Sequence, residues 1–146
     1  MKQWKVYVYG SFNYKSMYYG GAYIATNDSS DYKYRNSFSA NKEEWVKSKK
    51  VSGEIGAILL FFTDMYTQGK LVSGDNVTIY HDYSGLSFWA TGKWQTKKPA
   101  SIKYKNYIDK VISNGVTIDF VKVKAHSGNE FNEIVDSMAK LAVGIN

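Results

Sequence analysis

An α/β fold built on one mixed sheet is predicted for this 146-residue chain, and three patterns predict it. Three strand-like stretches follow one another at the N-terminus with turn residues between them. Further strands then alternate with stretches of helical periodicity. The resulting order, βββαβααβα, sets hairpin-joined strands beside strands linked through helices. That combination implies a mixed five-stranded sheet flanked by helices. No repeat, proline-rich linker or low-complexity tract divides the chain, so residues 1–146 are expected to form one domain.

Trp4, Val6 and Val8 alternate with Lys5, Tyr7 and Tyr9, which predicts the first strand, and Gly10-Ser11 ends it. Tyr18 to Thr26 and Tyr32 to Ser39 are the next two strands, joined by the turn Asn27-Asp28-Ser29-Ser30. Between Gly53 and Gln68, Ile55, Ile58, Leu59, Phe62, Met65 and Tyr66 fall at helical spacing, and Gly69 stops the helix. Val77 to His81 is a short strand. Ser84 to Ala90 and Ala100 to Ser113 are helices, the second closed by Asn114-Gly115, and Thr117 to Lys122 is the last strand. The final helix carries one apolar stripe of Phe131, Ile134, Val135, Met138, Ala139 and Ala142.

Composition narrows the class. Hydrophobic residues make up 44% and charged residues 22%, as in an ordinary globular domain. The longest apolar run, Ile55 to Phe62, is too short to span a bilayer, and the N-terminus enters a strand with no signal-peptide core. No membrane association is expected. Cysteine is absent, which excludes disulfide staples and thiolate chemistry and fits a reducing, cytoplasmic setting. The net charge of +6 rests almost wholly on lysine, because Arg35 is the single arginine. Lysine is a flexible point charge without the planar fork that reads a guanine edge. A nucleic-acid partner would therefore be held mainly by its backbone phosphates.

Four positions can carry chemistry. Glu54 opens the first long helix, where the macrodipole tolerates a carboxylate. Asp82 follows the strand TIYH, at the edge where open α/β sheets place functional groups. Asp136 sits mid-helix beside the apolar stripe, an unfavourable place for aspartate unless it has a purpose. His126 lies on a Ser-Gly-Asn turn before that helix. Each has a plain alternative: a structural helix acid, a turn cap, a solvated face and an exposed loop histidine.

In combination they say more. GEIGA around Glu54, IYHDYSGLSFWATG around Asp82 and KAHSGNEFNEIVD from His126 to Asp136 occur in the order found in type 1 ribonuclease H. The strand VYVYGSFN resembles that family's first strand, which normally reads as an acid followed by Gly-Ser. The resemblance runs from about Val6 to Ala142 and implies a ribonuclease H-like fold. It also implies cleavage of the RNA strand of an RNA–DNA hybrid with two magnesium ions held by four carboxylates. Three of those carboxylates correspond to Glu54, Asp82 and Asp136. His126 matches the mobile histidine, and Asn132 also fits the pattern. Ser11 and Asn13 fall where the family's first loop meets the hybrid backbone and ribose.

Tyr9 stands where the resemblance calls for the fourth carboxylate, the one that bridges both ions. A phenol with a reference pKa of about 10 stays neutral at pH 7 and is a poor ligand for a hard cation. The remaining acids are expected to bind at most one magnesium or manganese ion, weakly, and two-metal cleavage to be lost or weakened. Three readings of Tyr9 stand. It is a strand aromatic packed beside Tyr7, with the activity gone. It is an aspartate changed by a single nucleotide. Or an acid from the hairpin turn, Asp28 or Asp31, takes over. The first fits best, since that turn lies a full strand away.

The segment from Tyr83 to Ile108 holds Lys93, Lys97, Lys98, Lys103 and Lys105 and no acid. Tyr83, Phe88, Trp89, Trp94, Tyr104 and Tyr107 are interleaved, with Phe88 and Trp89 expected in the core. Trp94 is placed to pack on a sugar or base, or to fold back on the domain. The stretch resembles the basic region with which some ribonucleases H grip the DNA strand. Lys47, Lys49 and Lys50 form a second cluster ahead of Glu54. The sequence therefore predicts a binder of RNA–DNA hybrid or other duplex nucleic acid with little or no cleavage. A working endoribonuclease, or a fold reused to bind a protein partner, are the alternatives. The oligomeric state is not encoded in any feature of the sequence.

Overall fold

The computed structural model describes residues 1–123 and 129–145. Among them, five strands form one sheet in the order β3-β2-β1-β4-β5. They are β1 (Gln3–Asn13), β2 (Tyr18–Asn27), β3 (Ser30–Ala40), β4 (Asn76–His81) and β5 (Thr117–Lys122). The first three pair antiparallel, while β1 with β4 and β4 with β5 pair parallel. The predicted mixed sheet and element order are present. One element is additional: a single turn, α1 (Glu43–Val46), precedes α2 (Lys50–Thr67). One turn is too short to show helical periodicity, and it is held by tertiary contact. Trp45 is buried and stacks on Tyr19 at 6.2 Å, and Ser52 Oγ donates to the Trp45 carbonyl at 2.6 Å.

The period of two along β1 divides the interior. Trp4, Val6 and Val8 join Tyr23 and Ala25 of β2 in the larger core, covered by α2 with α3 (Gly85–Ala90) and α4 (Pro99–Ser113). Tyr7 and Tyr9 point the other way, onto Ala22, Ile24 and the helix α5 (Glu130–Ala142). The α2 stripe is wider than predicted, with Ala57 and Phe61 buried as well, because α4 packs on this helix in addition to the sheet. Phe88 and Trp89 correct another expectation. They are half-buried on α3, outside the fully buried core. Asp75 ties β1 down at its start. It accepts from the Lys2 amide (2.8 Å), the Trp4 indole (3.1 Å) and the Val72 amide (3.1 Å). No described helix is long and apolar enough to cross a membrane.

One close approach positions the site. Gly10 of β1 pairs with Gly21 of β2, and Gly53 of α2 lies directly over them. A Cβ on Gly53 would overlap the Gly20 carbonyl, 2.7 Å from its carbon, and reach within 3.1 Å of the Gly10 Cα. A Cβ on Gly10 would come 2.5 Å from the Glu54 amide. Only bare backbone allows this crossing. Because the surroundings are backbone and cannot give way, Gly53→Ala should destabilise the fold by about 3 kcal/mol. The midpoint of urea unfolding should fall accordingly, and a midpoint within error of the parent would refute the account.

Candidate functional site

Four of the expected positions come together around Tyr9 in the middle of β1, which runs through the expected stop at Gly10-Ser11 to Asn13 because its pairing with β2 continues there. Tyr9 and Asp82 each lie two residues past the last β1–β4 pair, Tyr7 with Tyr80. Glu54 sits one turn inside α2, since that helix begins at Lys50 and not at Gly53 as expected. Asp136 reaches the group from α5. Burial first, then the charges of Asp136, Asp82 and Glu54, push the Tyr9 phenol above its ordinary pKa of 10. The phenol is therefore neutral and lies within the field of all three acids. Its ring packs beside Tyr7, on the small cluster formed by Ala22, Ile24, Val135 and Ala139. Tyr7 in turn stacks on Tyr80 at 4.5 Å.

Two of the three acids are already engaged within the chain. Glu54 is buried and accepts from the amides of Asp82 (2.7 Å) and Tyr83 (3.4 Å). It thereby pins the turn that carries Asp82. His81 holds the same turn from behind, with Nδ1 2.9 Å from the Tyr83 carbonyl oxygen. Burial pushes the Glu54 carboxyl up to about 8 and the charge of Asp82 adds to this, although the two amides and Lys50 act against it. Asp136 Oδ2 lies 3.3 Å from Lys140 Nζ, while its buried Oδ1 has no hydrogen-bond partner among the described residues. Among the described residues, no three acids or histidines are grouped so as to hold a metal ion. Lys140 occupies one oxygen of Asp136, amides occupy Glu54, and the Tyr9 ring lies among the acids. Lys140 and the amides would compete with a divalent ion for these oxygens. His126 lies outside the described residues.

The expected nucleic-acid contacts divide into three groups. Lys97 and Lys98 line a cavity of about 360 Å³ with Tyr83, Trp89 and Gln95. Trp94 is 41% exposed and leans on Phe88 at 4.8 Å, and Lys93 Nζ lies 4.6 Å over the same Phe88 ring. These four make one basic, aromatic surface. Lys103 is set apart, 5.7 Å from the Trp45 ring. Lys105 is turned inward, bound to the Ala90 carbonyl (3.0 Å) and Asp109 (2.7 Å), so it is withdrawn from any phosphate. Ser11 is buried on β1. Asn13 serves the fold: its Nδ2 donates to the Val143 carbonyl at 2.7 Å, and its Oδ1 accepts from the Lys15 and Ser16 amides. Sequence reasoning missed Lys140. The i,i+4 spacing from Asp136 was the signal that could have found it.

Comparison with known proteins follows the same lines. No family model matches the chain. Solved structures align over nearly its whole length. The N-terminal RNase H domain of Rv2228c from Mycobacterium tuberculosis has a TM-score of 0.76 at 12% identity, covering 98% of this chain and 94% of that one. RNase H1 from Halobacterium salinarum gives 0.74 at 12% identity, with 97% of each chain covered. The fold is that of ribonuclease H. LC11-RNase H1, solved in complex with an RNA/DNA hybrid, gives 0.69 at 17% identity over 96% of this chain and 99% of that one. In sequence, a ribonuclease H of Neorickettsia sennetsu is 32% identical over 77 residues, 46% of this chain and 51% of that relative. The chain thus matches about half the length of this relative.

The raised Glu54 carboxyl makes stability depend on pH. The group keeps its proton in the fold up to about 8 and releases it near 4.5 when unfolded. Its contribution is full below 4.5 and is lost as pH rises through about 8. In metal-free buffer, stability should fall across that window, and Glu54→Gln should flatten the fall. A parent and variant with parallel stability–pH curves would contradict the assignment.

Proposed function

We propose that this chain is a ribonuclease H-fold binder of RNA–DNA hybrid or other duplex nucleic acid in which two-metal cleavage is weakened or lost. The observation that carries the proposal is the site around Tyr9: three acids are present, but Asp136 is paired with Lys140 and Glu54 with two backbone amides, and a neutral phenol lies among them. Lys93, Lys97, Lys98 and Trp94 supply the binding surface. The lysines meet backbone phosphates and Trp94 offers a ring to a sugar or base. Glu54 and His81 fix the turn beside that surface. The alternative, a working endoribonuclease, draws on the name of the Neorickettsia relative and on the hybrid-bound LC11 enzyme.

Binding should weaken steeply with salt. Replacing both Lys97 and Lys98 with alanine should reduce affinity similarly for duplexes of different sequence and lower the salt slope by about 2. A gel-shift series at several salt concentrations checks this. Absence of binding to hybrid, duplex and single strand at low salt would overturn the nucleic-acid reading and favour a protein partner.

Tyr9→Asp should raise cleavage of a labelled hybrid in magnesium or manganese by about a hundredfold or more, the scale of one preorganised charge-stabilising group. The gain should vanish when Glu54→Gln or Asp136→Asn is added, because such ligands act as a unit. Strong cleavage by the Tyr9 chain itself would establish the enzyme reading. No gain in a well-folded Tyr9→Asp protein would show that the site is altered beyond position 9.

A further inference from the structure

We infer that the cavity between the end of β1 and the start of α2 is a metal-independent site for a phosphate monoester, with a nucleoside 5′-monophosphate as its natural chemical class. It is distinct from the Lys97–Lys98 surface and stands whether or not that surface takes a duplex.

The cavity, about 420 Å³, is lined among others by Tyr9, Ser11, Tyr14, Lys49, Lys50 and Lys140, and no carboxylate contributes to its wall. Three lysines therefore border one space of small-molecule size. Two of the three acids behind it are engaged: Asp136 is held by Lys140, and Glu54 takes the amides of Asp82 and Tyr83. With Lys140 partly neutralised by Asp136, the wall offers roughly two free positive charges. A phosphate monoester carries about −1.5 to −2 at neutral pH, a closer match than the single charge of an internal phosphodiester. The Ser11 hydroxyl and the Tyr9 phenol can donate to its oxygens without adding charge.

The backbone and the aromatic wall point the same way. Lys49 has φ of +50°, a conformation lysine adopts only when the surroundings impose it, and such strain gathers at binding and catalytic sites. Its Nζ lies 5.2 Å from the Tyr14 ring, so the strained residue carries a charge at the cavity mouth. Tyr14 is 70% exposed and braced edge-on by Phe12 at 4.9 Å. A braced, solvent-facing ring beside a phosphate site is a stacking platform for a base. Lysines in this position repel a divalent cation, which would require carboxylate oxygens.

The test is calorimetric titration of the chain, in chelator, with inorganic phosphate, a nucleoside 5′-monophosphate and the corresponding nucleoside. Both phosphates should bind without a divalent ion and the nucleoside should not. Lys50→Gln and Lys140→Gln should each weaken phosphate binding by about tenfold. Tyr14→Ala should weaken the nucleotide and leave inorganic phosphate unchanged, and Lys70→Gln, beyond the far end of α2, should change neither. If Lys140→Gln fails to fold, Lys50→Gln decides. A requirement for magnesium, equal binding by parent and Lys50→Gln, or no heat at millimolar phosphate would each overturn the inference. A chain that shifts duplex but ignores phosphate refutes this site alone. A chain that binds phosphate but no duplex refutes the duplex reading alone.

Discussion

The crossing of α2 over β1 and β2 is the constraint from which the rest of the site follows. Gly10, Gly20, Gly21 and Gly53 let a helix and two strands approach to backbone contact. The approach carries Glu54 into the protein, next to the turn after β4, where its oxygens become the acceptors for two amides. The same burial raises its pKa. A helix held back by one methyl group would leave Glu54 wetter and more acidic, and the turn bearing Asp82 would lose its anchor. Geometry and protonation at this position thus share one cause.

The sheet supplies the second constraint. Parallel pairing of β1 with β4 aligns Tyr9 with Asp82, and the period of two along β1 sends Tyr9 to the α5 side, toward Asp136. Tyr9 is accommodated there as a packing residue beside the Tyr7–Tyr80 stack. The aromatic ring at this point is a neutral group in a partly apolar setting. The neighbouring Asp136 and Glu54 are met by Lys140 and by the backbone.

Much of this was legible in the sequence. Alternation along β1 and the turn residues after β2 placed most strand ends within a residue or two, and β5 at Thr117–Lys122 matched its expected span, whereas β1 runs past Gly10-Ser11 to Asn13. The convergence of Tyr9, Glu54, Asp82 and Asp136 was also visible, through the resemblance of their motifs. What escaped was set by tertiary contact. The turn at Glu43–Val46 exists because Trp45 is buried, which no local period records. Lys105 was counted as a phosphate contact because the acid-free window ended at Ile108. Its partner, Asp109, is the next residue and lies one helical turn from Lys105. Asn13 looked like a free loop amide until the C-terminal segment arrived beside it.

The engagement of Glu54 and Asp136 inside the chain bears on how such a protein evolves. An acid kept solely for catalysis drifts once catalysis ceases to matter. Here Glu54 braces a turn and Asp136 offsets the charge of Lys140, so both are useful to a protein that only needs to fold. Selection for a stable domain would by itself keep both residues. The two carboxylates are part of the architecture, whatever the site is used for.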